Sequence, residues 1–283
     1  MSAADLARFA GLASLWSLQY LFMRIAVPAF GAPLVAESRA LFGALVVLPA
    51  ALLLAQRIEP FARWREHLGV SLTNNVFPFL LLAYAATVLP AGYLAIINGT
   101  VPLWAALISS AIGLERFGPR PLAGCVLALA GVALVVNLGP VELGPQVLAG
   151  SAAAILAAAI WGYSGVVIKQ AGAKLPPLGL AAGSLAWSAV IMSPTWVAAP
   201  QAAWSLESAA ALLALGGLCS GVAYFFFFRL VRDIGPTRSL SVGFLIPVLG
   251  VLWGWLFLGE RVTLTMIAGG ALVLVAMALV LRR

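Results

Sequence analysis

The side chains able to do chemistry in this sequence are few, and most are aromatic or amide groups set in apolar runs. Trp16, Tyr20 and Met23 recur at i, i+4 and i+7 with Gln19 beside them, so a helix would carry them as one stripe. Such a stripe is either a cavity wall with aromatic faces and one hydrogen-bonding group, or ordinary helix packing with Gln19 bonded to a neighbour. Asn74 and Asn75 precede Pro78 and Phe79, and Asn98 and Thr100 precede Pro102. An unpaired amide in hydrocarbon is costly, so these side chains must face protein, water or a ligand. Each proline also frees a carbonyl one turn earlier. Groups of this kind suit a zwitterionic ligand, and they equally suit links between helices. Tyr93, Ile97, Val101 and Trp104 form another stripe, as do Ser220, Tyr224 and Phe227, and Phe244 adds a further aromatic. Aromatic walls hold flat apolar groups by burial and offset stacking. Phe225 to Phe228 run consecutively around a helix, so part of that cluster must face lipid.

A nucleophile is also spelled out. Gly162-Tyr163-Ser164-Gly165 reads GxSG, and a serine needs a base to attack. The sole histidine is His67. An intramembrane serine protease is therefore the enzyme alternative, and a membrane sensor that binds without moving a solute is another. No zinc-ligand spacing, Walker loop or dinucleotide fingerprint occurs, so no metal, cofactor or ATP drive is expected. All nine carboxylates are expected at helix ends or in loops; Glu37, near the outer start of the second helix and beside Arg39, is either the titratable acid of a proton-coupled carrier or a paired interfacial residue. A proton-coupled carrier usually exposes a titratable acid within the membrane. Facilitated export down a gradient is the expectation.

What must position these groups is a set of lipid-immersed helices. Of 283 residues, 63% are hydrophobic and 9% charged, too few charges to coat a water-soluble core. The net charge of +7 comes without a dense basic run interleaved with aromatics, so nucleic acid is not an expected partner. Crossing hydrocarbon takes about 20 apolar residues in a helix. That length gives spans near 7–27, 33–55, 67–88, 91–112, 119–138, 146–169, 178–199, 207–230, 235–258 and 262–281. Alternate loops then hold thirteen of the sixteen Lys and Arg, against Arg24, Arg39 and Arg261 on the other side. Cytoplasmic loops retain basic residues, which puts both termini in the cytoplasm. Multi-pass residence in the cell (inner) membrane follows.

A constant shift of 145 lays Trp16 on Trp161, Arg24 on Lys169, Pro49 on Pro194, Pro102 on Pro247, Glu115 on Glu260 and Gly124 on Gly269. Two five-helix units are expected, residues 1–140 and 146–283, and an odd helix number makes the repeat inverted. Inverted halves that exchange conformations give alternating access to a central site. Gly124 with Ala128, and Gly269 with Val273, hint at tight packing of the fifth and tenth spans, within the chain or between copies.

The Gly113-Leu114-Glu115-Arg116 and Gly259-Glu260-Arg261-Val262 turns, followed by Gly124 and Gly269, resemble a repeated pattern of the drug/metabolite transporter superfamily, its EamA-like branch especially. Within it the chain is most similar to YddG-type exporters of aromatic and other bulky amino acids. The resemblance implies an all-α basket of ten transmembrane helices, with a central cavity lined mainly by the first, third, fourth, sixth, eighth and ninth. A small-molecule substrate and membrane lipid are the expected partners, and the expected state is a monomer. On that reading the substrate pathway comprises Trp16, Gln19, Tyr20, Asn74, Asn75, Phe79, Tyr93, Asn98, Trp104, Trp161, Tyr163, Ser164, Tyr224 and Phe244.

Overall fold

In the computed structural model, residues 2–114, 118–138, 141–196, 205–235, 239 and 241–281 are described. The described residues are helical between short connections. Among the described residues, eight helices are long and apolar enough to cross a membrane: α1 (Ala3–Phe30), α2 (Ala32–Leu53), α3 (Trp64–Ala85), α4 (Ala91–Ala111), α6 (Pro145–Gly172), α7 (Pro177–Trp196), α8 (Leu206–Ile234) and α9 (Ser241–Leu258). Two more, α5 (Pro119–Leu138) and α10 (Leu264–Leu281), lie where the sequence places the fifth and tenth spans, with shorter apolar cores.

Local chemistry sets the boundaries. A capping box starts α1, with Ser2 Oγ accepting from the Asp5 amide and Asp5 Oδ2 accepting from that of Ser2. Gly31, at φ +74°, is the single residue between the end of α1 and the start of α2. Proline opens α5, α6 and α7, where its missing N–H costs nothing. Large apolar side chains such as Leu53, Phe77, Val190, Phe257 and Leu264 stand exposed on the outer faces, a surface that only hydrocarbon suits.

Two long helices loosen at matching places. A π-helical turn occupies Ser71–Val76 in α3 and another Gly217–Val222 in α8, offset by 146 residues. Likewise α4 breaks at Gly99 and Thr100 before Pro102, and α9 passes from a 3₁₀ start at Ser241–Phe244 into α-helix before Pro247. The packing follows the same rule. Helix α1 rests on α8 and α9 as α6 rests on α3 and α4, while α2 meets α7, α4 meets α9 and α5 meets α10. Exchanging the two halves leaves this pattern unchanged. In the α5–α10 pair, a Cβ on Gly124 would meet Val280 and the Ala276 carbonyl, and one on Gly269 would meet Val135 and the Gly131 carbonyl. Both glycines therefore serve packing within one chain.

Candidate functional site

The loosened helices surround a cavity of about 330 Å³ at the centre of the bundle. Trp16 and Gln19 reach it from α1, Asn74 and Phe79 from α3, Asn98 from α4, Trp161 and Ser164 from α6, and Tyr224 from α8. The wall extends beyond the helices expected to form it, since Arg39 of α2 and Met277 of α10 also contribute.

Helix irregularity is what makes the wall polar. In an α-helix the Asn74 carbonyl would bond the amide of residue 78, but Pro78 has none. Trp161 Nε1 donates to that carbonyl at 2.8 Å, so the indole is fixed from across the bundle. The Asn74 side chain donates to Asn75 Oδ1 at 3.1 Å and to Tyr224 Oη at 3.4 Å. Ser164 Oγ lies 3.3 Å from Asn74 Oδ1 and 2.8 Å from the Trp161 carbonyl. Phe79 meets Trp161 edge-on, with ring centroids 6.5 Å apart. Trp16 packs against Phe227 at 5.4 Å.

The other expected side chains lie elsewhere. Tyr20 is fully buried behind the wall, its hydroxyl accepting from Asn98 Nδ2 at 2.6 Å. Asn75 is buried too and donates to Ser188 Oγ of α7 at 3.0 Å, a helix link rather than a ligand contact. Tyr93 is sealed in the core against the backbone of Val141. Trp104 donates to Thr100 Oγ1 at 3.2 Å and borders a separate void of about 30 Å³ beside α5. Tyr163 is 43% exposed and points out of the bundle, because it lies next to, and so about 100° around from, Ser164. Phe244 packs on the main core at the start of α9. An aromatic on a helix that is apolar all round carries no phase information, which explains these displacements.

The acids and cations also differ from expectation. Glu37 sits in the second turn of α2, 2% exposed beside Trp196, and no ion pair joins it to Arg39 among the described residues. Arg39 is no loop residue: it lies inside α2 and is 5% exposed. Arg24 is likewise within α1, donating to the Ala86 carbonyl at the end of α3 at 2.8 Å. Glu260 Oε1 accepts from the Ala91 amide at 2.7 Å and Oε2 from that of Gly92 at 3.2 Å, capping α4 from another part of the chain. Its sequence mate Glu115, with Arg116, lies outside the described residues. Sequence reasoning missed Arg39, and it placed the neighbouring Ser220 on a wall stripe without a partner. The signal was present, since Arg39 falls inside the 33–55 span and a charge within a span is a functional candidate by default.

Ser164 and His67 do not form a dyad. His67 is fully buried, and its Nε2 lies 2.6 Å from the Ile58 carbonyl. The partners of Ser164 Oγ are those given above.

Comparison with known proteins fits this architecture. The model of the EamA-like transporter family matches residues 7–137 and again 148–282. The uncharacterized transporter YoaV of Bacillus subtilis is 23% identical over 266 residues, covering 92% of this chain and 90% of its own length. The uncharacterized inner membrane transporter YedA of Escherichia coli K12 is 28% identical over 284 residues, covering 94% and 86%. Protein PecM of Dickeya dadantii is 26% identical over 272 residues, covering 94% and 88%. A solved structure described only as a crystal structure of a protein superposes with TM-score 0.67 over 98% of both chains at 22% identity, a likeness of fold. With both halves matched by one family model, the chain belongs to the EamA-like transporter family and is a multi-pass membrane transporter.

Proposed function

We propose that the protein exports small metabolites, foremost aromatic or other bulky amino acids, by alternating access through the central cavity. The observation that carries this reading is one pocket in which indole, phenyl and phenol walls from α1, α3, α6 and α8 meet the amides of Gln19, Asn74 and Asn98. A volume near 330 Å³ lies at the lower end of the roughly 300–1,000 Å³ of small-molecule sites, which suits a substrate of amino-acid size. The moving parts are the halves 1–140 and 146–283, inverted across the membrane as two five-helix units, with ten spans and both termini cytoplasmic. The exchange symmetry of the packing and the paired π-helical turns support such halves. The substrate is small, the surrounding partner is the lipid of the cell (inner) membrane, and a single chain encloses the whole pocket.

The test is counterflow in proteoliposomes. Labelled L-phenylalanine should accumulate saturably against unlabelled L-phenylalanine or L-tryptophan trapped inside, with or without a pH gradient. Binding without counterflow would point to a non-transporting sensor instead.

A further inference from the structure

Arg39 stands out among the described residues. It lies inside a membrane-spanning helix, 5% exposed, on the wall of the cavity. Its Nε donates to Ser220 Oγ at 2.8 Å, its Nη2 donates to Gln19 Oε1 at 2.6 Å, and its Cζ lies 3.9 Å from the centroid of the Phe79 ring. All three contacts hold the guanidinium in place, and none supplies negative charge. Its Nη1 has no hydrogen-bond partner among the described residues. No ion pair joins it to a described carboxylate: Asp5, Glu59, Glu66 and Asp233 pair with other cations, Glu260 holds the start of α4, Glu142 and Glu207 are exposed, and Glu37 is buried beside Trp196. Glu37 is also two residues from Arg39, about 200° around the helix. An uncompensated cation at this depth is expensive to keep unless something neutralises it at work.

A second buried group without a partner belongs to another residue of the same wall. Asn98 lines the cavity and donates through Nδ2 to Tyr20, but its Oδ1, an acceptor, has no partner. The residues that hold the two groups, Gln19 for Arg39 and Tyr20 for Asn98, are consecutive on α1. Their anchors thus differ by about 1.5 Å along the axis. An unpartnered cationic donor and an unpartnered neutral acceptor, held by consecutive residues of α1 in one cavity wall, form the complement of a zwitterion.

We propose that Arg39 is the carboxylate-binding residue of the cavity and Asn98 Oδ1 the acceptor for the substrate's ammonium, so that the protein selects α-amino acids over their amines, amides and esters. The inference rests on the transport reading above and assigns its head-group site. A guanidinium presents N–H groups in a plane matched to a carboxylate, which a lysine does not. The aromatic walls then receive the side chain, setting bulk rather than charge.

Two readouts on the detergent-purified and reconstituted full chain separate the ideas. Binding is followed by the intrinsic fluorescence of the protein, since Trp16 and Trp161 line the cavity, with L-phenylalanine, L-phenylalaninamide, phenethylamine and 3-phenylpropionate as probes. L-Phenylalanine should bind at least about tenfold tighter than the amide or the amine, a margin of about 1.4 kcal/mol. Arg39→Gln should abolish that preference, and Arg39→Lys should restore only part of it. Asn98→Ala should weaken L-phenylalanine and leave 3-phenylpropionate, which lacks the ammonium, unchanged. Arg39→Gln removes an uncompensated charge and is expected to fold, which size-exclusion profiles check. Equal binding of acid, amide and amine, or no response to any carboxylate, would overturn the assignment whatever the flux. Arg39-dependent carboxylate binding without counterflow would uphold it and defeat the transport reading. Counterflow that ignores the carboxylate would do the reverse.

Discussion

Gly131 and Gly269 face each other so closely that a Cβ on either would lie 2.7 or 2.6 Å from the carbonyl oxygen of the other. No side chain fits that gap without parting α5 from α10, and overpacking of this kind typically costs about 1–3 kcal/mol. Gly269→Ala should therefore lower the melting temperature in detergent. Gly270→Ala should not, because its Cβ would meet only Ile96 at 3.6 Å, an ordinary contact. Equal melting of the two variants would contradict the close approach.

The glycine contact illustrates what the sequence made legible. The spacing of Gly124 and Gly269 pointed to tight packing, and apolar length located the helices, because both depend on local composition. The cavity was half legible. Trp16, Gln19, Asn74 and Trp161 were reachable from residue type, since a polar or amphipathic group inside a span needs a partner. Tyr93, Trp104 and Tyr163 were not, because the direction of an aromatic on a uniformly apolar helix is set by its neighbours. The π-helical turns have no composition signal beyond the nearby Pro78, yet they reset which side chains face inward. Arg39 was misplaced for a different reason. Counting cations by loop treats each one as topology and hides the case in which a charge belongs to the span.

Trp161 tests the proline-freed carbonyl. Trp161→Phe keeps an aromatic ring but removes the Nε1 donor to the Asn74 carbonyl, at a cost of about 1–3 kcal/mol. The variant should melt lower than the native protein and transport more slowly. Tyr163→Ala, on the outward face, should leave flux within about twofold, as surface changes away from partners generally do. Equal losses for both would place Trp161 outside the working wall.

Glu260 should prove structural. Its carboxylate accepts the two free amides at the start of α4, with the favourable sign for a helix N-terminus. Glu260→Ala should destabilise by about 1–3 kcal/mol, Glu260→Gln by less, and Glu207→Ala at an exposed position by almost nothing. Thermal melts of the three variants in one detergent decide it, and a neutral Glu260→Ala would mean that α4 is capped by other means.

His67 separates carrier from hydrolase. The imidazole is buried against Gly183 and bonded to the Ile58 carbonyl, so His67→Ala removes a packed group and a hydrogen bond together. Stability should fall by about 2–4 kcal/mol. Flux per folded molecule should stay within about twofold of the native value, because the ring touches neither Ser164 nor the cavity wall. A hydrolase that used the Gly162-Tyr163-Ser164-Gly165 segment would behave otherwise: it would lose all turnover with the histidine, and its serine would react with a fluorophosphonate probe. Ser164 Oγ instead donates to oxygen acceptors, an arrangement that holds its proton rather than removing it. Loss of flux in a His67→Ala protein that still melts cooperatively would restore a catalytic role.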